Sequence, residues 1–289
     1  MFPANFGYVA PRSLDEALQL LKRHGENAKL LAGGHSLLPA MKLRLASPET
    51  LIDLGTVPGL SGVRREGDRL VIGALTVHAD VGSSDLVRKY FPGLIDAASV
   101  IGDVQVRNCG TIGGSVAHAD PAADFPVILT ALNASFVLKS TDSNRTVAAD
   151  EFFTDYFTTA MEPGEILTEI LVPLPAAGSG TAYQKLAHPA SGYVVVSAGA
   201  LITRQQSGSC ASARIAIGGL GSGPIRAIAS ETELQGKVLN PQNIAAAAAK
   251  AAEEADPDDD IYATAEYKRH MATVLARRAI EAAAQRSTT

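Results

Sequence analysis

Two glycine-rich segments are the part of this sequence best suited to bind a ligand. In the first, residues 29–44 (KLLAGGHSLLPAMKLR), Gly33 and Gly34 separate two apolar runs; the second is residues 110–124 (GTIGGSVAHADPAAD). Glycine lets the backbone approach a ligand closely and adopt positive φ, so that successive N–H groups can converge on an anion. Together the two segments predict one polyanionic ligand held from two sides.

Other kinds of site compete with this interpretation. Glycine pairs are frequent in ordinary turns, so either segment alone is compatible with a turn that binds nothing. Each segment, however, follows an apolar run and precedes polar residues, which is where phosphate-binding loops are built. Neither contains G-x-G-x-x-G or G-x-x-x-x-G-K-[ST], which disfavours a Rossmann dinucleotide site and a Walker nucleotide site.

The second segment also contains potential metal ligands and catalytic groups. His118, Asp120 and Asp124 are suitable ligand types, but there is no second histidine at ligand spacing, and we predict no metal site. Asp124 precedes Phe125-Pro126 and suits either a helix cap or a polar contact to a ligand. A Ser-His-Asp hydrolase is disfavoured because the sequence lacks a G-x-S-x-G elbow.

The composition is that of a globular protein. The chain has 289 residues, 46% hydrophobic and 19% charged, enough for two or three domains. The chain has a net charge of -5 and therefore lacks the excess of basic residues that is typical of a nucleic-acid-binding protein. We find no secretory signal and no apolar run near the ~20 residues of a membrane span, and we expect a cytoplasmic location. The two cysteines, Cys109 and Cys210, are more compatible with free thiols than with a disulfide, and are too few for a four-cysteine iron–sulfur cluster.

The pattern of apolar residues predicts an α+β fold in three parts. In residues 1–56, Ser13 with Glu16 is a capping-box signature for a helix that ends at Gly25. Strands at 29–31 and 50–53 complete a β-α-β unit with the first glycine segment in its crossover.

Residues 57–175 alternate strands and helices, and a run of helix and strand breakers at 173–180 marks the next boundary. In this second part we predict strands at 62–63, 69–73, 135–139, around 147 and at 166–172, and helices at 76–81, 94–101 and 126–132. In residues 178–289 we predict a three-stranded antiparallel sheet with C-terminal helices: strands at 181–186, 194–203 and 211–217, and helices from Pro241 to Glu254 and from 262 to 285.

Three motifs resemble a known family. KLLAGGHSLLP at 29–39, RNCGTIGGS at 107–115 and DPAAD at 120–124 resemble the FAD-binding medium subunits of the molybdenum hydroxylases, especially those of the aerobic carbon monoxide dehydrogenase type. The resemblance extends to 224–226 and 267–270, so it covers nearly the whole chain. It implies a two-part FAD-binding region of the vanillyl-alcohol oxidase type followed by a smaller α+β domain.

The resemblance also implies site residues. It places the FAD diphosphate on the backbone of two runs: Leu30, Leu31, Ala32, Gly33, Gly34, His35, Ser36 and Leu37, and Thr111, Gly113, Gly114 and Ser115. It places Ile101 and Leu167 against the cofactor, and Asp124 in polar contact with it. From this arrangement we expect Gly33→Val or Gly114→Val to abolish FAD binding by filling the space of the diphosphate.

Two further residues are implied near the flavin ring, and each has a simpler alternative. Lys185 would stabilise anionic reduced flavin, or would be a solvated strand lysine. Tyr193 would cover the ring, or would be a core tyrosine. The side-chain roles of His35 and Ser36 stay open.

The resemblance implies electron transfer within a larger complex. In such complexes a large molybdenum-pterin subunit oxidises the substrate, a small subunit with two-iron two-sulfur clusters relays electrons, and the FAD subunit passes them to an external acceptor. We therefore expect a heterotrimer, present as a dimer of heterotrimers. The reducing substrate (carbon monoxide, an aldehyde, a purine or another N-heteroaromatic) and the acceptor (NAD, a quinone, a cytochrome or oxygen) stay open. A self-sufficient flavin oxidase or reductase of the vanillyl-alcohol oxidase type is the alternative enzyme, and a FAD-binding scaffold the alternative without redox activity.

Overall fold

The computed structural model describes residues 2–287. The N-terminal part is a parallel sheet with strand order β1-β3-β2. Its elements are β1 (Gly7–Val9), α1 (Leu14–His24), β2 (Ala28–Leu31), α2 (Leu37–Lys42) and β3 (Thr50–Asp53), with 3₁₀ turns at Gly25–Asn27 and Leu54–Thr56. The predicted β-α-β unit is confirmed, and the first glycine segment connects β2 to α2.

Local signals define the first helix. The Ser13 hydroxyl accepts a hydrogen bond from the Glu16 N–H (3.1 Å), and the Glu16 carboxylate accepts one from the Arg12 N–H (2.7 Å). Gly25 ends the helix at φ 54°, a conformation that suits a residue without Cβ. The predicted start and end of α1 are both confirmed.

The middle part is an antiparallel sheet, order β4-β5-β10-β6-β7, with helices packed against it. Its strands are β4 (Val63–Glu66), β5 (Arg69–Gly73), β6 (Ser135–Lys139), β7 (Asn144–Ala148), β8 (Phe153–Asp155), β9 (Thr158–Thr159) and β10 (Ile166–Pro173), with β8 and β9 forming a separate hairpin. Its helices are α3 (His78–Ser83), α4 (Asp85–Tyr90), α5 (Pro92–Ser99), α6 (Val104–Cys109), α7 (Ile112–His118), α8 (Asp124–Ala131) and α9 (Ala149–Phe152).

Two predicted helices of the middle part have different limits in the structure, and in the C-terminal domain the helix predicted from Pro241 to Glu254 ends at Ala248. The first begins at His78 because Val77 is extended and forms an isolated bridge with Thr111. The second begins at Pro92, a favoured first helical residue, and ends before Ile101. Ile101 therefore lies in a loop, where its position depends on contacts and not on helix geometry.

The C-terminal domain is an antiparallel sheet of four strands, and the predicted three-stranded sheet is wrong by one strand. Its strands are β11 (Ser179–Ala187), β12 (Val194–Arg204), β13 (Cys210–Gly218) and β14 (Ile225–Arg226). Three helices complete the domain: α10 (Ile228–Leu234), α11 (Pro241–Ala248) and α12 (Ala265–Arg286). With two residues, β14 is too short to produce the alternating pattern by which strands are predicted.

Strand β11 connects the C-terminal domain to the middle part. It packs on α5 so closely that a Cβ at Gly93 would lie 2.7 Å from the Ala182 nitrogen. The Gly93 N–H donates to Thr181 Oγ1 (2.9 Å), and Arg286 of α12 donates to both Asp96 of α5 and the Thr181 carbonyl. The site described below depends on this fixed position of β11.

Within residues 2–287 no helix combines the length and apolarity that crossing a membrane requires. Both cysteines are free thiols, Cys109 exposed and Cys210 buried. Burial raises the pKa of the Cys210 thiol to about 11, which makes it unreactive near neutral pH.

Candidate functional site

The first glycine loop presents a run of unpaired backbone donors. The N–H groups of the five consecutive residues 33–37 have no hydrogen-bond partner within residues 2–287. The loop is partly exposed, and Gly34 has φ 72°, which reverses the chain between β2 and α2. Successive unpaired N–H groups on such a turn form an anion-binding nest. Because an unpaired N–H is costly to shield from water, this loop fits a ligand with several negative oxygens.

The two glycine loops lie directly against each other. A Cβ at Gly33 would lie 2.8 Å from both the carbonyl carbon of Cys109 and the Cα of Gly110. A Cβ at Gly114 would lie 2.7 Å from Thr111 Oγ1 and 3.8 Å from the Ala32 Cβ. An added side chain at either glycine would therefore contact protein atoms, which gives a second cause for the expected loss of FAD binding besides the filling of the diphosphate space.

The second loop has fewer free donors than the first. The Ile112 N–H donates to the Thr76 carbonyl (3.0 Å), the Gly113 N–H to the Ala74 carbonyl (2.8 Å), and the Gly114 N–H to Thr111 Oγ1 (3.1 Å). The first two bonds anchor the start of α7 to the segment before α3, and the third caps α7 locally. This loop also offers hydroxyls to a ligand, chiefly that of Ser115, which is partly exposed and accepts no hydrogen bond within residues 2–287.

A buried histidine, not identified from the sequence, lies where the two loops meet. His78 is 5% exposed, and its Nε2 would lie 2.7 Å from a Cβ at Gly110. Its Nδ1 has no hydrogen-bond partner among the described residues. Burial, with the nearby charges of His35 and Arg107, lowers the pKa of His78 to about 4. His78 is therefore neutral at neutral pH and supports the backbone of the second loop by packing.

Asp124 and Lys185 form a buried ion pair. Lys185 Nζ lies 2.9 Å from Asp124 Oδ1 and donates to Oδ2 (3.0 Å), and the side chains are 3% and 6% exposed. The Tyr183 hydroxyl donates to Asp124 Oδ1 (2.9 Å). Burial raises the pKa of Asp124 to about 6, although Lys185 and Tyr183 both act to lower it.

These contacts decide between the alternatives left open by the sequence. Asp124 is the first residue of α8 but makes no capping hydrogen bond, so the helix-capping alternative for Asp124 is wrong. Lys185 is not a solvated strand lysine, since its side chain is enclosed. Tyr193 is 49% exposed and is therefore not a core tyrosine. It follows the tight turn between β11 and β12, and the next residue, Val194, donates its N–H to the Ala122 carbonyl (3.1 Å).

Ile101 lies close to this ion pair, whereas Leu167 lies deeper and the predicted residues before Gly33 belong to β2 and its loop. Lys185 Nζ donates to the carbonyl of Val100, the residue before Ile101, at 3.1 Å. Leu167 is 6% exposed and belongs to the main core, where it pairs with Leu138 across the sheet. Leu30 and Leu31 are half-buried ladder residues of β2, and Ala32 is a half-buried loop residue.

The remaining polar residues of the two segments have local roles. His35 Nδ1 lies 2.8 Å from the Gly33 carbonyl oxygen, and the Ser36 side chain makes no cap for α2. His118 packs against the Phe157 ring at 5.2 Å, and Asp120 Oδ1 accepts the Ala122 N–H (2.9 Å). Within residues 2–287 no three His, Cys, Asp or Glu side chains are arranged to hold a metal ion.

Comparison with known proteins identifies the family. Residues 4–175 match the FAD binding domain in molybdopterin dehydrogenase, and residues 181–283 match the CO dehydrogenase flavoprotein C-terminal domain. The chain is 43% identical to the carbon monoxide dehydrogenase medium chain of Hydrogenophaga pseudoflava, covering 98% of each chain. It is 37% identical to the 6-hydroxypseudooxynicotine dehydrogenase complex subunit alpha of Paenarthrobacter nicotinovorans, covering 99% of this chain and 97% of that one. A solved structure of carbon monoxide dehydrogenase from Hydrogenophaga pseudoflava superposes with a TM-score of 0.95 at 44% identity, over 99% of each chain.

Proposed function

We propose an electron-transfer function for this chain, which belongs to the family of FAD-binding medium subunits of the molybdenum hydroxylases. It binds FAD, receives electrons from an iron–sulfur subunit and delivers them to an external acceptor. The observation that carries the proposal is the run of five unpaired N–H groups at 33–37, held in place by the contact between Gly33 and Cys109. A diphosphate supplies the several negative oxygens that such a run requires.

In this proposal the two loops divide the work of binding the diphosphate. The backbone of the first loop, from Ala32 to Leu37, donates to the phosphate oxygens. The second loop contributes the Thr111 and Ser115 hydroxyls, because the N–H groups of residues 112–115 are already bonded to the protein. Cys109 and Gly110, just before it, set the position of Gly33. The half-buried side chains of Leu30 and Leu31 pack beneath the first loop and fix the direction in which β2 enters it.

The residues near the flavin ring come from both domains. FAD, when bound, exchanges electrons with both one-electron and two-electron partners, and the protein adjusts its redox potential through nearby charges. Lys185 provides a cation held by Asp124, which favours negative charge on the reduced ring. Tyr193, half exposed at the rim, shields the ring from water, and Ile101 and Leu167 supply apolar contacts.

The proposed partners are the other two subunits of such a complex. A small subunit with two-iron two-sulfur clusters and a large molybdenum-pterin subunit would join this chain in a dimer of heterotrimers in the cytoplasm. The two relatives named above carry different substrates in their names, which agrees with a substrate that is determined by the large subunit and not by the FAD subunit. We further propose that the FAD-binding region is of the vanillyl-alcohol oxidase type and consists of residues 1–56 and 57–175. The C-terminal domain then comprises residues 178–289.

Purification of the full chain from its native cells, without added cofactor, tests this function. Released flavin is quantified by absorbance, co-purifying chains are identified by mass spectrometry, and iron and molybdenum are measured in the same sample. We expect one FAD per chain, together with an iron-containing small chain and a molybdenum-containing large chain. A purified chain without flavin would contradict FAD binding. A flavin-loaded chain that oxidises an organic donor alone, without iron or molybdenum, would instead support a self-sufficient oxidase.

A further inference from the structure

We propose that Tyr183 is a positioning residue for the flavin site: its hydroxyl fixes the Asp124 carboxylate, which in turn holds the Lys185 ammonium in place. The inference rests on the proposed function, in which Lys185 lies near the flavin ring. It assigns to the C-terminal domain a direct influence on the redox properties of the bound cofactor.

Tyr183 and Lys185 reach Asp124 from the same side of one strand. They are two residues apart in β11, so both side chains lie on the same face of the sheet. The Tyr183 hydroxyl donates to Oδ1 (2.9 Å), while Lys185 Nζ approaches Oδ1 at 2.9 Å and Oδ2 at 3.0 Å. Both donors therefore share Oδ1. Loss of either donor leaves more of the negative charge on Oδ1 for the other.

The strand that carries both donors is rigidly held. Besides the close packing of Gly93 on Ala182, the Tyr183 N–H donates to Asp96 Oδ2 (3.3 Å), and Arg286 holds the same carboxylate. Tyr183 itself is 3% exposed. Its ring therefore has little freedom to move, and its hydroxyl is a hydrogen-bond donor to Asp124 in a fixed position.

The position of the Lys185 ammonium depends on two acceptors. One is the Asp124 carboxylate, and the other is the Val100 carbonyl at 3.1 Å. A carboxylate in a buried site binds an ammonium more strongly when it has fewer other donors, because less of its charge is satisfied elsewhere. With Tyr183 in place, Asp124 is partly neutralised by the hydroxyl, and more of the Lys185 charge acts on the neighbouring flavin.

The test is the midpoint potential of FAD bound to the full chain, measured by spectroelectrochemistry at pH 8, where Asp124 is ionised. In Tyr183→Phe the unshared carboxylate attracts Lys185 more strongly, so reduced flavin is stabilised less. We expect the preference for reduced over oxidised FAD to fall by roughly three- to tenfold, a tenfold change being about 30 mV for a two-electron couple. Tyr267→Phe, at an exposed position on α12, is the control and leaves the potential unchanged.

Double variants separate positioning from packing. If Tyr183 acts through Asp124, Tyr183→Phe has less than about a twofold effect in an Asp124→Asn background. Lys185→Met provides a second background with the same expectation if the asparagine variant does not retain FAD. An unchanged potential in Tyr183→Phe, or an equal shift in all backgrounds, would overturn the inference. Failure of the wild-type chain to bind FAD would instead contradict the proposed function.

Discussion

Lys185 of the C-terminal domain and Asp124 of the FAD-binding region form an ion pair across the junction of the two domains, with Nζ 2.9 Å from Oδ1. Both side chains are almost completely enclosed, so each charge is removed from water and stabilised mainly by the other. In the proposed flavin site, a strand of the second domain therefore supplies one member of this pair and the FAD-binding region the other.

Removal of the cation from this pair is expected to destabilise the protein. Lys185→Met leaves the Asp124 carboxylate buried without its partner, which lowers the free energy of unfolding by roughly 3–5 kcal/mol at pH 8. Lys22→Met is the matched control, since Lys22 pairs with Asp142 at the surface and the change there stays below about 1 kcal/mol. Urea denaturation measures both. Equal losses in the two variants would contradict the structural role of the buried pair.

Protonation of Asp124 predicts a dependence of stability on pH. Burial raises the pKa of Asp124 in the folded protein to about 6 from 3.8, so the folded state binds this proton more tightly than the unfolded state. This tighter proton binding contributes about 3 kcal/mol to the free energy of unfolding. The contribution is fully present below pH 3.8 and is lost as the pH rises through 6. The unfolding free energies of wild type and Asp124→Asn are measured at pH 4.5 and 7.5. Wild type should lose stability relative to Asp124→Asn as the pH rises from 4.5 to 7.5. A difference that stays constant would show that Asp124 is not the group that titrates.

His78 is expected to have the opposite dependence. Burial lowers the pKa of His78 to about 4 from 6.5. The contribution of neutral His78 to the free energy of unfolding is therefore fully present above pH 6.5 and is lost as the pH falls through 4. The total is about 3 kcal/mol. His78→Asn should therefore gain stability relative to wild type between pH 7 and 4.5 in thermal unfolding. His270→Asn, at an exposed position, is the control, and the same gain in this control would rule out burial as the cause.

The contact between the two loops makes Gly33 sensitive to the smallest substitution. A Cβ in Gly33→Ala overlaps the backbone of Cys109 and Gly110 and forces the loops apart, at a cost of about 1–3 kcal/mol. We expect FAD affinity to fall by roughly ten- to hundredfold, measured by fluorescence titration. Gly82→Ala is the matched control, because its Cβ meets only the Ala98 Cβ at 3.4 Å. Wild-type affinity in Gly33→Ala would show that the loop contact does not organise the binding site.

The sequence predicts features of the fold that are encoded locally. The helix between Ser13 and Gly25, the strands β2 and β3 and the two glycine loops follow from capping residues, apolar periodicity and glycine pairs. Such signals lie within a few residues of one another, and tertiary packing does not override them here. Strand β14 was missed because two residues carry no pattern.

The candidate site depends on contacts that local patterns do not encode. Tyr183 and Lys185 lie 59 and 61 residues from Asp124 along the chain, and their meeting depends on how β11 packs on α5. The contact between Gly33 and Cys109 likewise joins two separate segments. Family resemblance named Asp124 and Lys185 as residues near the cofactor, but their pairing with each other, and the part of Tyr183, required the structure.

Binding of a series of flavins to the full chain tests the central claim most directly. FAD, FMN and riboflavin share the flavin ring but differ in the phosphates that the unpaired N–H groups of residues 33–37 would bind. Titration followed by flavin fluorescence should give one FAD per chain, with riboflavin bound at least about a hundredfold more weakly, corresponding to the loss of two or more charge-assisted hydrogen bonds. FMN should lie between them. The absence of FAD binding, or equal affinities for FAD and riboflavin, would contradict the assignment of this loop as the diphosphate site.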